Sequence, residues 1–105
     1  MTVRTLDGAQ DDIDATARRL ELERPGFGPA FFALYQAARS AIIAAPRQHS
    51  PTDDGPDGTE TREVFLARFN QRVIYAVTDA EVVILAVVHA HSRPGAWAGR
   101  VDEIS

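Results

Sequence analysis

The stretch RFNQRVIYAVTDAEVVILAVVHAHSRP, Arg68 to Pro94, decides the fold. Two apolar runs flank the short polar sequence TDAE, Thr78–Glu81, the pattern of a β-hairpin. VVILAVV, Val82–Val88, is apolar at consecutive positions, so it belongs in the interior of a sheet covered on both faces. Closing the turn at TDAE, or at Asp79-Ala80 within it, sets Val77 opposite Val82, Tyr75 opposite Ile84 and Arg72 opposite Val87. Strand alternation then sorts the side chains. Val73, Tyr75, Val77, Val82, Ile84, Ala86 and Val88 share one face, uncharged and therefore expected against helices. Arg72, Ile74, Ala76, Val83, Leu85, Val87 and His89 share the other. This register predicts that Arg72 and His89 are diagonal neighbours on one surface, and Tyr75 reads as core.

Working backwards, REVFLAR (Arg62–Arg68) is a third strand-like run, and PRQHSPTDDGPDGTE has the Pro, Gly and acid content of a loop. That places a loop over residues 46–61. The segment GPAFFALYQAARSAIIAAP carries Phe31, Leu34, Ala38, Ile42 and Ala45 at helical spacing, with Gly28-Pro29 suited to its start and Pro46 to its end. Before it, a helix is expected from Asp7 to the Pro25-Gly26 break, with Asp7 as cap and Gln10 completing a capping box. MTVRTL begins the chain as a short strand. The fold class is therefore α+β: an N-terminal strand, then an antiparallel helical hairpin on one face of a mainly antiparallel sheet, completed by three C-terminal strands. Residues 1–95 form one domain and 96–105 a C-terminal tail that contains Trp97.

Composition narrows the function. All eleven basic residues are arginine, and the net charge is -4. Residues 62–100 carry five Arg against three acids, whereas residues 1–61 carry six Arg against ten. An acidic chain is a poor candidate for gripping nucleic acid by charge alone. No cysteine is present, so disulfides and thiolate metal sites are excluded. No spacing of His and carboxylates points to a metal, and no phosphate-binding glycine loop or other cofactor motif appears. The apolar runs fall short of the about 20 residues a membrane helix needs, and MTVRTLDGAQ lacks a signal core. A cytoplasmic location follows as the expectation.

RFNQRVIY (Arg68–Tyr75) and ILAVVHAHSRP (Ile84–Pro94) resemble the C-terminal signature of the RelE/ParE superfamily, the toxin subunits of bacterial type II toxin–antitoxin systems, also called plasmid-stabilisation proteins. ERPGFG (Glu23–Gly28) and the Phe-rich second helix resemble the ParE branch. The sequence departs from the family where Asn70-Gln71 replaces a common Pro-Tyr, and where Ser92 stands at the position usually taken by arginine, one residue before Arg93. The resemblance implies a growth-inhibiting toxin neutralised by a cognate antitoxin. In the superfamily, RelE-like members cleave mRNA in the ribosome and ParE-like members poison DNA gyrase.

Metal-free RNA cleavage needs a base, an acid and cations around the phosphorane. RelE-like sites resemble clusters of Lys, Arg and Tyr on very basic proteins. Here a nuclease would have only Arg68, Arg72, His89 and Arg93, with His89 the one proton carrier active near neutral pH. The ParE-like, non-enzymatic reading is favoured, with the same four residues as a target-binding patch. The alternatives are a RelE-like endoribonuclease and a degenerate partner-binding module without toxicity. For the antitoxin, the exposed part of the Phe27, Phe31, Phe32 and Tyr35 cluster is the candidate surface, set against a purely core role for all four.

Overall fold

The computed structural model describes residues 1–104. The chain runs β1 (Thr2–Thr5), α1 (Asp7–Glu23), α2 (Phe27–Ala44), β2 (Ser50–Pro51), β3 (Glu60–Leu66), β4 (Gln71–Val77) and β5 (Glu81–His89). Short 3-10 turns occupy Ala67–Phe69 and Ala98–Glu103. One five-stranded sheet has the order β1-β5-β4-β3-β2. Its pairs are antiparallel except β1 with β5, which is parallel. This is the expected α+β architecture. The added detail is β2, a two-residue strand inside the segment expected to be loop.

The first helix starts without the expected capping box. Its N-cap is Leu6, with no side-chain cap, and Asp7 is already helical. Leu6 donates its N–H to Ile84 O at 3.1 Å and accepts the Gln10 N–H at 3.0 Å, so one buried residue joins the end of β1 directly to the start of α1. No separate capping position exists, and Gln10 instead donates to Asp14 at 3.0 Å. Asp7 still sits in the first turn, where the helix dipole favours a negative charge.

The break between helices falls at Pro25-Gly26 as expected. Gly26 adopts φ 96°, a left-handed conformation that glycine takes without steric penalty. The second helix begins at Phe27, slightly before the expected Gly28-Pro29 start. Its first N–H groups are satisfied from across the hairpin: the Glu21 carboxylate accepts from Gly26 N and Gly28 N, both at 3.0 Å. Ile13 and Leu20 of α1, with Phe31, Tyr35, Ala38 and Ile42 of α2, are buried and join the buried strands in one core.

In the hairpin the turn closes as the sequence predicts. Thr78 N donates to Glu81 O at 2.9 Å around Asp79-Ala80, and Val77 faces Val82, Ala76 faces Val83 and Tyr75 faces Ile84. Past that point the register shifts by one residue. Ile74 pairs with Ala86, leaving Leu85 as an extra residue in β5, and Arg72 faces Val88 rather than Val87. A bulge of this kind leaves backbone groups outside the ladder. Here non-local side chains take them: Arg100 Nη1 donates to Leu85 O at 3.0 Å, and Asp12 Oδ2 accepts the Val87 N–H at 3.0 Å. Arg100 and Asp12 also pair with each other at 2.7 Å.

Past Pro94 the chain returns to the domain. Trp97 is 3% exposed, and Ala98, Val101 and Ile104 pack against the core. The carbonyl of Ile104 accepts from Arg4 Nη2 at 2.6 Å, which ties the C-terminal segment to β1.

Candidate functional site

The bulge at Leu85 decides where the sequence-predicted residues lie. Directly paired residues in an antiparallel ladder project to the same face. Beyond the bulge Gln71 faces His89 and Val73 faces Val87, while Arg72 faces Val88. Arg72 and His89 therefore project to opposite sides of the sheet. The expectation that they share a surface is corrected: one extra residue in β5 reverses the facing of every side chain after it.

Arg72 enters a carboxylate cage. Its Nη1 and Nη2 donate to Asp54 Oδ2 and Oδ1 at 2.9 and 2.7 Å. Its Nε and Nη2 donate to Glu63 Oε2 and Oε1 at 3.1 and 2.9 Å. Asp54 also accepts the Gly95 N–H at 2.9 Å and Trp97 Nε1–H at 3.1 Å, both on Oδ2. Hydrogen bonds from Arg72, helped by Gly95 and Trp97, hold the Asp54 carboxyl far below the usual carboxylate range despite its partial desolvation. Hydrogen bonds from Asp54 and then Glu63 raise Arg72 further above its ordinary value. This guanidinium is a permanent cation whose charge is spent inside the protein. It clamps the loop, β3, β4 and the C-terminal segment together.

Arg68 and His89 lie near the tip of the helical hairpin. They line a cleft of about 310 Å³ with Arg19, Leu20, Glu23, Phe27, Phe69 and Asn70. The Arg68 guanidinium lies 5.6 Å from the Phe27 ring centroid and 5.0 Å from that of Phe69. The rings themselves meet edge to face at 5.4 Å. His89 Nδ1 accepts the His91 N–H at 3.0 Å. Arg93 is exposed, on the loop that leads to the cage. The four residues proposed as one site thus divide into a buried clamp, a cleft pair and a surface arginine.

The remaining candidates divide as well. Tyr75 is fully buried and donates its hydroxyl to Pro46 O at 2.5 Å; burial pushes its pKa up to about 12. It is core, as read from the sequence. His49 packs edge to face on Tyr75 at 6.3 Å and donates from Nε2 to Ala41 O at 3.2 Å, so it helps close α2. Phe31 is 0% exposed and belongs to the core, whereas Tyr35, 5% exposed, is mostly core but also lines the groove beside Phe32. Phe27 is half-buried, whereas Phe32 is 42% and Ile43 43% exposed. Phe32 and Ile43 lie three turns apart on one side of α2, and Phe32 borders a groove of about 390 Å³ with Thr5, Gln10, Gln36 and Arg39.

Asp54, Glu63, Trp97, Asp12 and Arg100 were not singled out as site residues from the sequence. A lone Trp in a chain of ordinary hydropathy was the available signal, since so large an apolar side chain is seldom left in water. Among the described residues no helix is long and apolar enough to cross a membrane, and no group of three His or carboxylate side chains converges as a metal site requires.

No protein-family model matches this chain, and no curated protein does either. Solved structures do. A chain described as "Chromosomal ParDE TA system from P. aeruginosa" superposes with a TM-score of 0.63 at 16% identity, over 85% of this chain and 95% of that one. At that identity the likeness is one of fold. The N-terminal strand, helical hairpin and C-terminal antiparallel strands of this chain are the RelE/ParE-like fold.

Proposed function

We propose that this chain is the toxin component of a type II toxin–antitoxin system, inhibiting growth until a cognate antitoxin neutralises it in the cytoplasm. The observation that carries this reading is the fold shared with a chain of a ParDE TA system across nearly its whole length, joined to the RFNQRVIY and ILAVVHAHSRP motifs. The antitoxin lies along the exposed side of α2, across Phe32 and Ile43, and reaches the open outer edge of β1. An apolar stripe beside an unpaired strand edge suits an amphipathic segment that folds on binding.

Within that reading the target is DNA gyrase rather than ribosome-bound mRNA. Arg72 is neutralised by two carboxylates, and His89 projects from the other face. A phosphorane would need both within a few ångströms of one atom. Tyr75, buried and hard to ionise, offers no base. These positions favour a protein that binds its target over one that cuts RNA.

Inducing the chain alone, with DNA breaks and mRNA ends read in parallel, tests both levels. Growth arrest with DNA damage and intact mRNA is the expected result. Arrest with A-site cleavage and intact DNA would return the target to the ribosome. Unaffected growth would leave only a partner-binding module.

A further inference from the structure

We infer that the cleft at the hairpin tip, with Phe27 and Phe69 as its floor and Arg68, Asn70 and His89 as its polar wall, is a carboxylate-recognition site for an acidic segment of a partner protein. Among the described residues, six of the eleven arginines are in ion pairs: Arg4, Arg19, Arg47, Arg62, Arg72 and Arg100. Arg68 is not among them. Arg68 is exposed, and its guanidinium instead lies against two aromatic rings, cation–π contacts that bias it toward the cleft. Arg24 lies 5.5 Å from the same Phe27 ring, so two cations converge on one aromatic in a protein of net charge -4. An incoming anion meets a guanidinium fork biased toward the cleft, which lowers the ordering cost of binding.

The other wall groups add donors. Because His89 Nδ1 accepts the His91 N–H, the neutral ring carries its proton on Nε2, where it can donate. Asn70 holds φ 53°, the one left-handed non-glycine residue among those described, pinned by the Ala90 N–H on its carbonyl at 2.8 Å. It caps the Ala67–Phe69 turn, a position where asparagine takes this conformation readily. Glu23, the one acid in the wall, is paired with Arg19 at 2.9 Å and does not compete for Arg68. A single guanidinium fork over an apolar floor matches a short segment of mixed acidic and apolar side chains. A polynucleotide needs a track of cations, whereas Arg72 projects from the other face of the sheet and the cleft's Arg19 is paired with Glu23.

The inference rests on the proposed function only for the identity of the partner as an antitoxin. It is tested on the full chain, isotopically labelled, by NMR titration with a synthetic peptide of alternating glutamate and leucine. Its lysine–leucine counterpart, inorganic phosphate and a short oligouridylate serve as comparisons. Shifts should concentrate on Arg68 Nε–H, Asn70, His89 and Phe27. Affinity should fall about tenfold or more in Arg68→Gln, recover in part in Arg68→Lys, and also fall in His89→Ala. Unchanged Trp97 and Arg72 resonances verify that each variant is folded. No peptide binding, unchanged affinity in Arg68→Gln, or tighter saturation of the same residues by oligouridylate or phosphate would overturn it. Growth arrest on induction is a separate readout, so a failure of the toxin reading and a failure of this site are distinguishable.

Discussion

Replacing Asp54 by alanine tests the clamp that joins loop, sheet and C-terminal segment. The side chain is 12% exposed and accepts four hydrogen bonds, two from Arg72 and one each from Gly95 N and Trp97 Nε1. Breaking a buried ion pair typically costs about 3–5 kcal/mol because the surviving charge is left unpaired. Arg72 keeps its two bonds to Glu63, so the low end applies to that part. The orphaned Gly95 and Trp97 donors add about 1 kcal/mol or more, reduced where water enters. A loss of about 3–4 kcal/mol is expected, which at about 4–8 °C per kcal/mol lowers Tm by about 12–32 °C. Trp97 is the only tryptophan, so its emission follows urea unfolding without a label. Arg72→Met should be comparably harmful, and the double variant should lose less than the two single losses combined, with a coupling of at least about 1 kcal/mol. A loss in Asp54→Ala under about 1 kcal/mol, with Trp97 emission unchanged, would refute the clamp.

Acid should reveal the same network. Arg72 depresses Asp54, Arg62 and Arg47 depress Glu60, and Arg4 depresses Glu81, so these carboxylates stabilise the fold fully above their unfolded pKa values, about 3.9–4.3. Stability is lost as pH falls below about 4, and Tm measured between neutral and acid pH should fall less steeply in Asp54→Ala; equal slopes would contradict this. A methyl group at Gly55 would stand 2.6 Å from Thr52 Oγ1, with the Thr61 hydroxyl and the Trp97 ring also against it. Gly55→Ala should therefore cost about 1–3 kcal/mol in urea unfolding. Phe32→Ser removes a ring that is 42% exposed, so the stability loss should stay at about 1 kcal/mol, well below that of Asp54→Ala. Under the proposed function the same variant remains toxic but escapes its antitoxin, measured as growth arrest that co-expression no longer relieves.

Much of the fold was legible because local rules agreed with the global arrangement. Gly26, Pro25 and Pro46 mark the ends of the helices, and the TDAE turn sets the first half of the hairpin register. The site was less legible, for one reason above all. Nothing in ILAVV marks a bulge, since no glycine stands there. The groups that stabilise it, Asp12 and Arg100, reach Val87 and Leu85 from distant parts of the chain, Asp12 across 75 residues. A period-2 pattern holds only while the ladder is unbroken, so His89 was assigned to the wrong face. The acidic loop misled in a similar way. Asp53, Asp54 and Asp57 look alike in sequence, but only Asp54 meets Arg72, and that pairing depends on tertiary structure. The capping box failed because Leu6 joins β1 directly to α1.

The target assignment is tested most directly by gyrase supercoiling with purified chain, run beside a ribosome-bound mRNA cleavage assay. Supercoiling should be inhibited, with DNA left cut, while the mRNA stays whole. Full gyrase activity together with mRNA cleavage that disappears in Arg72→Ala or His89→Ala variants of intact fold would contradict it.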